Sequence, residues 1–200
     1  MSEAQTVQLS YDDGARAVEL AREAVESFVR HGQREQPGSM REAFYARTGA
    51  FVRLRSTRGR GRLRGCAGAR DSSDQLGHAI VEAAIKAASG DSCGSEVEPK
   101  ELDNLTVSVF VVSNTVLTND PLDDLVVGTH GVAVDSGTAH SWLYPTVPVE
   151  NGWSGAEFLS RTCRKARLSP TAWQDEDTMV TLIEGQVFRE RADGGAVEEL

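Results

Sequence analysis

Apolar residues recur at helical spacing in three stretches of the chain. In the first, residues 12–31, Asp12 or Asp13 is a candidate cap, Gly32 marks the end, and the apolar positions are Val18, Ala21, Val25, Phe28 and Val29. A second stripe follows the candidate caps at 71–74 and ends at Gly90; it consists of Leu76, Ile80, Ala83, Ala84 and Ala87. The third runs from residue 158 to residue 166 after the capping-box pair Ser154 and Glu157. These patterns predict three helices.

Strand patterns fill most of the remaining chain. Residues 50–56 set Phe51, Arg53 and Arg55 against Val52 and Leu54, and residues 62–65 are expected to return as the second strand of a hairpin. The nearly continuous valine and phenylalanine of residues 105–113 predicts a central strand buried on both faces. Shorter strands are predicted at 126–127, 132–134, 140–144 and 179–188, with a tail or edge strand at 1–10 and a frayed end at 192–200. Because helices and hairpins mix without regular β–α–β alternation, the predicted fold class is α+β, with antiparallel sheets and flanking helices.

Length and composition indicate one globular domain. The chain has 200 residues, of which 40% are hydrophobic and 26% charged, so a collagen, a mucin-like stalk or a wholly disordered chain is excluded. No apolar run reaches the roughly 18 residues that a membrane-spanning helix needs. The first residues show no signal-peptide pattern. A cytoplasmic protein without a membrane partner is therefore expected.

The charge balance is strongly acidic. Asp plus Glu number 30 against 21 Lys plus Arg, for a net charge of −9, and the only lysines are Lys86, Lys100 and Lys165. Such a surface suits a cytosol of high salt, where screening weakens the repulsion between carboxylates. The sequence therefore favours a halophilic source, and an ordinary acidic cytosolic protein is the alternative.

Cysteine usage indicates a reducing compartment. The three cysteines, Cys66, Cys93 and Cys163, are odd in number and far apart, unlike a disulfide framework. No C-x-x-C, H-x-x-x-H or H-E-x-x-H motif occurs, so no metal site is predicted. Neither the phosphate loop nor the dinucleotide fingerprint is present, and no cofactor is predicted.

One segment has the opposite charge to the rest of the chain. Residues 53–70 contain seven arginines and no acidic residue. This segment is expected to attract anions or an acidic partner surface, unless its arginines lie on a hairpin and pair with nearby carboxylates. Nucleic acid is a weaker candidate partner, because the chain is acidic and the segment lacks interleaved aromatic residues.

A cysteine between two glycines lies inside this segment. In Leu63-Arg64-Gly65-Cys66-Ala67-Gly68, the glycines Gly65 and Gly68 can turn backbone N–H groups inward as an anion-binding loop. Arg64 and those N–H groups would favour the thiolate of Cys66, which makes Cys66 a candidate nucleophile. The alternative is that Cys66 only fills core space.

Later in the chain, His130 and Glu150 are candidates for acid–base chemistry. His130 lies between glycines in Gly128-Thr129-His130-Gly131 and can reach a cleft as acid or base; alternatively it is a turn histidine without a partner. Glu150 can orient such a base or pair with an arginine, or it is a surface carboxylate. The predicted site is thus Cys66, His130 and Glu150 for catalysis, with Arg64, Gly65 and Gly68 for ligand binding.

These motifs, in this order, resemble the AMMECR domain family, named from the chromosomal region of Alport syndrome, mental retardation, midface hypoplasia and elliptocytosis. The resemblance covers about residues 12–190 of a single domain spanning 1–200. It rests on the glycine–cysteine block, Glu101-Leu102, Gly128-Thr129-His130-Gly131, the stretch Leu143–Trp153, Phe158-Leu159 and Cys163-Arg164-Lys165-Ala166. A haloarchaeal member of the family is expected.

The resemblance implies two unequal subdomains with a cleft between them. The larger would hold both termini, and the glycine–cysteine motif would lie near the cleft. It also implies a function that is not established, with an association with Memo-like and radical-SAM proteins as possible partners. Three functions follow as hypotheses: an enzyme that uses Cys66 and arginine on an anionic small molecule or modified group, a non-catalytic binding or scaffold module for a peptide or anionic metabolite, and a nucleic-acid accessory protein.

Overall fold

Helices and antiparallel strands alternate irregularly in the computed structural model, which describes residues 7–38, 41–59, 61–90, 94–192 and 196–200. The helices are α1 (Tyr11–His31), α2 (Leu76–Ser89), α3 (Pro121–Asp124), α4 (Thr146–Asn151) and α5 (Gly155–Lys165). The strands are β1 (Ala50–Ser56), β2 (Leu63–Ala69), β3 (Leu105–Thr118), β4 (Gly131–Asp135), β5 (His140–Leu143), β6 (Met179–Arg189) and β7 (Glu198–Glu199). Short 3₁₀ helices cover Glu42–Tyr45, Pro99–Asn104 and Ala172–Gln174. The predicted α+β class is confirmed.

The chain divides into two compact units. The larger consists of Met1–Val112 and Gln186–Leu200, and the smaller of Ser113–Gly185. The chain enters the smaller unit within β3 and leaves it within β6. The cleft that the resemblance implies stays a prediction. In the described part of the chain, no helix combines the length and the apolar character needed to cross a membrane.

The core of the larger unit lies between its sheet and helices α1 and α2. Strand β1 pairs antiparallel with β2 and β3, so that Val52 stands opposite both Ala67 and Val109. All three are at most 2% exposed, in a cluster with the apolar stripes of α1 and α2. On the edge of β3 away from β1, the Glu190 N–H donates to the Val107 carbonyl at 3.0 Å. β3 is therefore bonded along both edges, which confirms the central strand.

Most differences from prediction in the larger unit concern the ends of elements. Helix α1 is capped by Ser10, which exchanges hydrogen bonds with Asp13, and it ends at Gly32 with φ 64°. Helix α2 follows Gln75 without a side-chain cap, so the caps predicted at 71–74 are wrong. The prediction of a frayed C-terminus is also wrong for the described residues 196–200, because β7 pairs with β6. Of the tail or edge strand expected at 1–10, residues 1–6 lie outside the described part of the chain.

In the smaller unit, α5 packs on strands β4 and β5. Strand β4 pairs antiparallel with β5 and β6, placing Val132 opposite Leu143 and Leu182. Phe158 and Leu159 of α5 are fully buried in this core. The Ser154 hydroxyl accepts from the Glu157 N–H, which confirms Ser154 as the cap of this helix.

In the smaller unit, one predicted strand is wrong and one helix was not predicted. Val126 and Val127 do not form a strand; they are exposed at a turn in which the Thr129 and His130 N–H groups donate to the Val126 carbonyl. Residues 146–151 form helix α4, which no pattern in the sequence predicted. Its ends are set by backbone bonds, with the Gly152 N–H donating to Val149, and neither end has a side-chain cap.

Candidate functional site

The predicted site residues fall into two groups on different units. Four lie on β2 in the larger unit, namely Arg64, Gly65, Cys66 and Gly68. His130 and Glu150 lie in the smaller unit. The joint site of Cys66, His130 and Glu150 therefore stays a prediction, and each group is described by itself.

The glycine–cysteine block is a strand along its whole length. β2 runs from Leu63 to Ala69, beyond the predicted end at Gly65, so the expected anion-binding loop around Cys66 is not formed. Gly65 instead meets helix α2: a Cβ built there would lie 2.0 Å from the Ala87 carbonyl oxygen. The absence of a side chain at Gly65 is what lets α2 rest directly on β2.

Gly68 has a second packing role. Its φ of 150° is one that residues with a side chain rarely adopt, and a Cβ there would lie 2.3 Å from the Ala50 carbonyl oxygen. The ring of Phe51 occupies the adjoining space, 2.7 Å from that Cβ position. Both glycines are thus required by close contacts within the larger unit.

Arg64 forms a bidentate ion pair with Glu101. Its Nε and Nη2 donate to the two carboxylate oxygens at 2.6 and 2.9 Å, and the Glu98 N–H donates to the same carboxylate. These bonds lower the pKa of Glu101 from 4.5 to about 2. The guanidinium that was expected to favour the Cys66 thiolate is therefore committed to a carboxylate.

The direction of the Arg64 side chain follows from a β-bulge. Leu54 pairs with Gly65 but Arg55 pairs with Leu63, which leaves Arg64 as the extra residue of β2. A bulge redirects the side chain of its extra residue. Arg64 accordingly lines a cavity together with Val29 of α1 and Glu101.

Cys66 lies on the face of the sheet opposite to the one that packs on α2, in a cross-strand row with an arginine and a serine. Arg53 of β1 is its cross-strand partner, and Ser108 of β3 is the next residue in the row. Cys66 is 5% exposed and Ser108 6%, while Arg53 is half-buried. The Cβ atoms of directly opposite residues are about 4.5–5.5 Å apart, so the Arg53 side chain begins beside the thiol.

The surroundings of this row on the three strands are aromatic and polar. Phe51 and Phe110 stack with ring centroids 5.9 Å apart in the next row, and Arg55 and Thr106 form the row on the other side. Among the described residues of β1, β2 and β3 between these rows, this face carries no imidazole and no carboxylate. Sequence reasoning missed Arg53 as a site residue, although its alternation with Val52 and Leu54 was visible.

His130 has both ring nitrogens engaged. Its Nδ1 accepts from the Val126 N–H at 3.0 Å, so the neutral ring carries its proton on Nε2. Nε2 lies 3.4 Å from Oε1 of Glu184. His130 therefore has partners inside its own unit, and this arrangement leaves it no basic lone pair for a substrate while the Val126 bond lasts.

Glu150 lies on the exposed side of the short helix α4. The next residue of the helix, Asn151, donates from its side chain to the Val147 carbonyl at 2.8 Å. Its expected role in orienting a base stays a prediction.

The other two cysteines differ from Cys66 in their surroundings. Cys163 is fully buried on α5, where burial raises the pKa of its thiol. Cys93 lies outside the described residues, as does Arg60 of the arginine-rich segment. Within the described ranges, no three histidine, cysteine, aspartate or glutamate side chains come together to hold a metal ion.

Comparisons with known proteins identify close relatives across the whole chain. The family profile of AMMECR1 matches residues 18–188. A protein of Halobacterium salinarum is 66% identical over 100% of this chain and 99% of its own length. One of Methanothermobacter thermautotrophicus is 38% identical over 91% of this chain and 96% of its own length. The crystal structure of the uncharacterized protein PH0010 from Pyrococcus horikoshii matches with a TM-score of 0.87 and 33% identity, covering 96% of this chain and 98% of that one. The Halobacterium relative supports the predicted halophilic character.

Proposed function

The chain belongs to the AMMECR1 family, and we propose that it is a thiol-dependent enzyme acting on an anionic small molecule, with Cys66 as the nucleophile. The observation that carries the proposal is the position of Arg53 directly opposite Cys66 on one sheet face. A neighbouring guanidinium favours the thiolate, which is the nucleophilic form of cysteine. The same cation can attract the anionic group of a substrate towards the thiol.

Burial makes the charge of Arg53 important. Cys66 is only 5% exposed, and an apolar surrounding on its own disfavours a thiolate. Arg53 offsets that effect because the attraction between opposite charges strengthens as water is excluded. In this proposal Arg53 takes the role first predicted for Arg64, whose guanidinium is bound to Glu101.

A non-catalytic binding module is the second candidate, and the state of His130 favours it. Nucleophilic catalysis by a thiol commonly needs a base within hydrogen-bond reach, whereas the His130 ring is held between Val126 and Glu184. A module that uses Arg53 and its neighbours to bind an anionic metabolite needs no base. An association with Memo-like or radical-SAM proteins is compatible with either function and stays a prediction.

Alkylation of the native protein by iodoacetamide across a pH series tests the proposal. Mass spectrometry reads the three cysteines separately, and Cys163 serves as an internal reference for a fully buried thiol. We expect Cys66 to react near neutral pH, at least tenfold faster than Cys163, because its thiolate is stabilised by a cation.

The matched variants are Arg53→Gln, Arg53→Lys and Arg58→Gln. Arg53→Gln should slow alkylation of Cys66 and move its pH profile upward, and Arg53→Lys should preserve much of the rate because it keeps the charge. Arg58→Gln removes an exposed arginine of the same hairpin and should change little. If Cys66 stays inert until the protein unfolds, the enzyme proposal is wrong and the binding module takes its place.

A further inference from the structure

A cavity of about 420 Å³ opens on the larger unit beside Arg55 of β1 and Arg189 of β6. Arg191 completes the cationic part of its wall, and Thr57 and Thr106 contribute hydroxyl groups. A volume of this size falls in the range of pockets that bind small molecules. None of these residues belongs to the predicted site.

Two of the arginines already hold a carboxylate. Nε and Nη2 of Arg189 donate to Oε1 of Glu198 at 3.0 and 2.6 Å. Nε of Arg191 donates to Oε2 of the same residue at 3.4 Å. Glu198 comes from the short C-terminal strand β7 and is 28% exposed, so the two guanidinium groups converge on one anionic group at the edge of the cavity.

The second carboxylate in the cavity wall, Glu190, is paired with an arginine that does not line the cavity. Glu190 accepts from Nε of Arg22 at 2.9 Å and from the Val107 N–H at 2.9 Å. Arg22 also donates to the carbonyl groups of Leu102 and Leu105, which fixes it within the unit. Glu190 is thus part of an internal ion pair, and Glu198 is the carboxylate that binds Arg189 and Arg191 of the wall.

The third arginine is held in a fixed orientation. Nε of Arg55 donates to the Gly61 carbonyl at 2.7 Å. Gly61 has φ 70°, and a Cβ at this position would lie 3.2 Å from Nη2 of Arg55. The backbone at Gly61 therefore supports the guanidinium against the cavity wall, which lowers the entropy cost of using it to bind a ligand.

We propose that this cavity binds a small molecule carrying a phosphate group, which displaces the Glu198 carboxylate from Arg189 and Arg191. Guanidinium groups bind phosphate in the same bidentate manner as carboxylate. A phosphate dianion carries more charge than the Glu198 carboxylate, and its additional oxygens can accept from the hydroxyl group of Thr57. A local cluster of cations in a chain of net charge −9 is expected to select small anions rather than nucleic acid.

Calorimetric titration with inorganic pyrophosphate, at the lowest potassium chloride concentration that keeps the protein folded, tests the proposal. Arg191→Gln should weaken binding by about tenfold, because it removes one charge-assisted hydrogen-bond donor. Glu198→Gln should tighten binding several-fold, because it removes the competing intramolecular anion. Arg164→Gln, an exposed arginine of α5 in the other unit, is the matched control and should leave the affinity unchanged.

The opposite signs expected for Arg191→Gln and Glu198→Gln are what separate this site from general attraction to an arginine-bearing surface. The proposal is overturned if pyrophosphate does not bind, or if all three variants bind it equally. Citrate is titrated in parallel, and binding of citrate but not pyrophosphate would overturn the assignment to phosphate. Because no reaction at Cys66 is measured, the outcome is independent of the proposed enzyme activity.

Discussion

Replacing Gly65 by alanine tests directly whether the glycine–cysteine block is a packing element. The new Cβ would lie 2.0 Å from the Ala87 carbonyl oxygen and 3.0 Å from its carbon. Ordinary carbon–oxygen contacts are about 3.3 Å or longer, so β2 and α2 must separate by about 1 Å at this point. The facing side of α2 cannot yield easily, because Ala84 and Ala88 are fully buried.

We expect Gly65→Ala to lower the free energy of unfolding by about 3 kcal/mol, at the upper end of typical overpacking costs. For a chain of this size, that corresponds to a melting temperature about 6 to 12 °C lower. Thermal unfolding followed by circular dichroism at constant potassium chloride measures the change. Gly155→Ala is the matched control, since its Cβ would meet Leu125 at an ordinary 3.5 Å and alanine is the better residue in a helix.

The result also separates packing from ligand binding. If Gly65 served mainly to turn an N–H group towards an anion, alanine would change the reactivity of Cys66 while stability stayed the same. A free energy of unfolding within about 0.5 kcal/mol of the wild type, the usual range for inconsequential surface changes, would refute the packing argument.

Three further predictions concern stability. The pKa of Glu101 is lowered to about 2, so its pair with Arg64 stabilises the fold fully above a pH of about 4.5 and loses this effect as the pH falls through about 2. Glu101→Gln should therefore lower the free energy of unfolding by about 1 to 2 kcal/mol near neutral pH, after solvent screening. A loss of stability that does not shrink in acid would contradict this role of the ion pair. The acidic, lysine-poor composition predicts a melting temperature that rises between low and molar potassium chloride, and a flat or falling value would argue against halophilic character. Val109→Asp places a charge in a fully buried position of β3 and should abolish cooperative unfolding, whereas Val116→Asp, at a 43% exposed position of the same strand, should fold; a stable Val109→Asp protein would show that the core is wrongly placed.

Local patterns predicted the elements whose side chains alternate cleanly between core and exterior. The alternation of β1 gave its bounds at Ala50 and Ser56, and the stripe of α1 gave its end at Gly32, because in both cases burial imposes a period on the sequence. The strand at 126–127 failed because two adjacent valines in an exposed turn carry no such period. Helix α4 was missed because backbone bonds rather than side-chain caps set its ends.

The candidate site depended on a register that no local pattern specifies. Counting back regularly from the pair Arg55–Leu63 would place Arg53 opposite Gly65 and leave Cys66 on the face that packs on α2. The extra residue at Arg64 shifts the pairing by one, which brings Cys66 opposite Arg53 and sends Arg64 to Glu101. A single bulge therefore decides which arginine stands beside the thiol, and for this reason the Arg53 variants, more than any change at Arg64, test what Cys66 does.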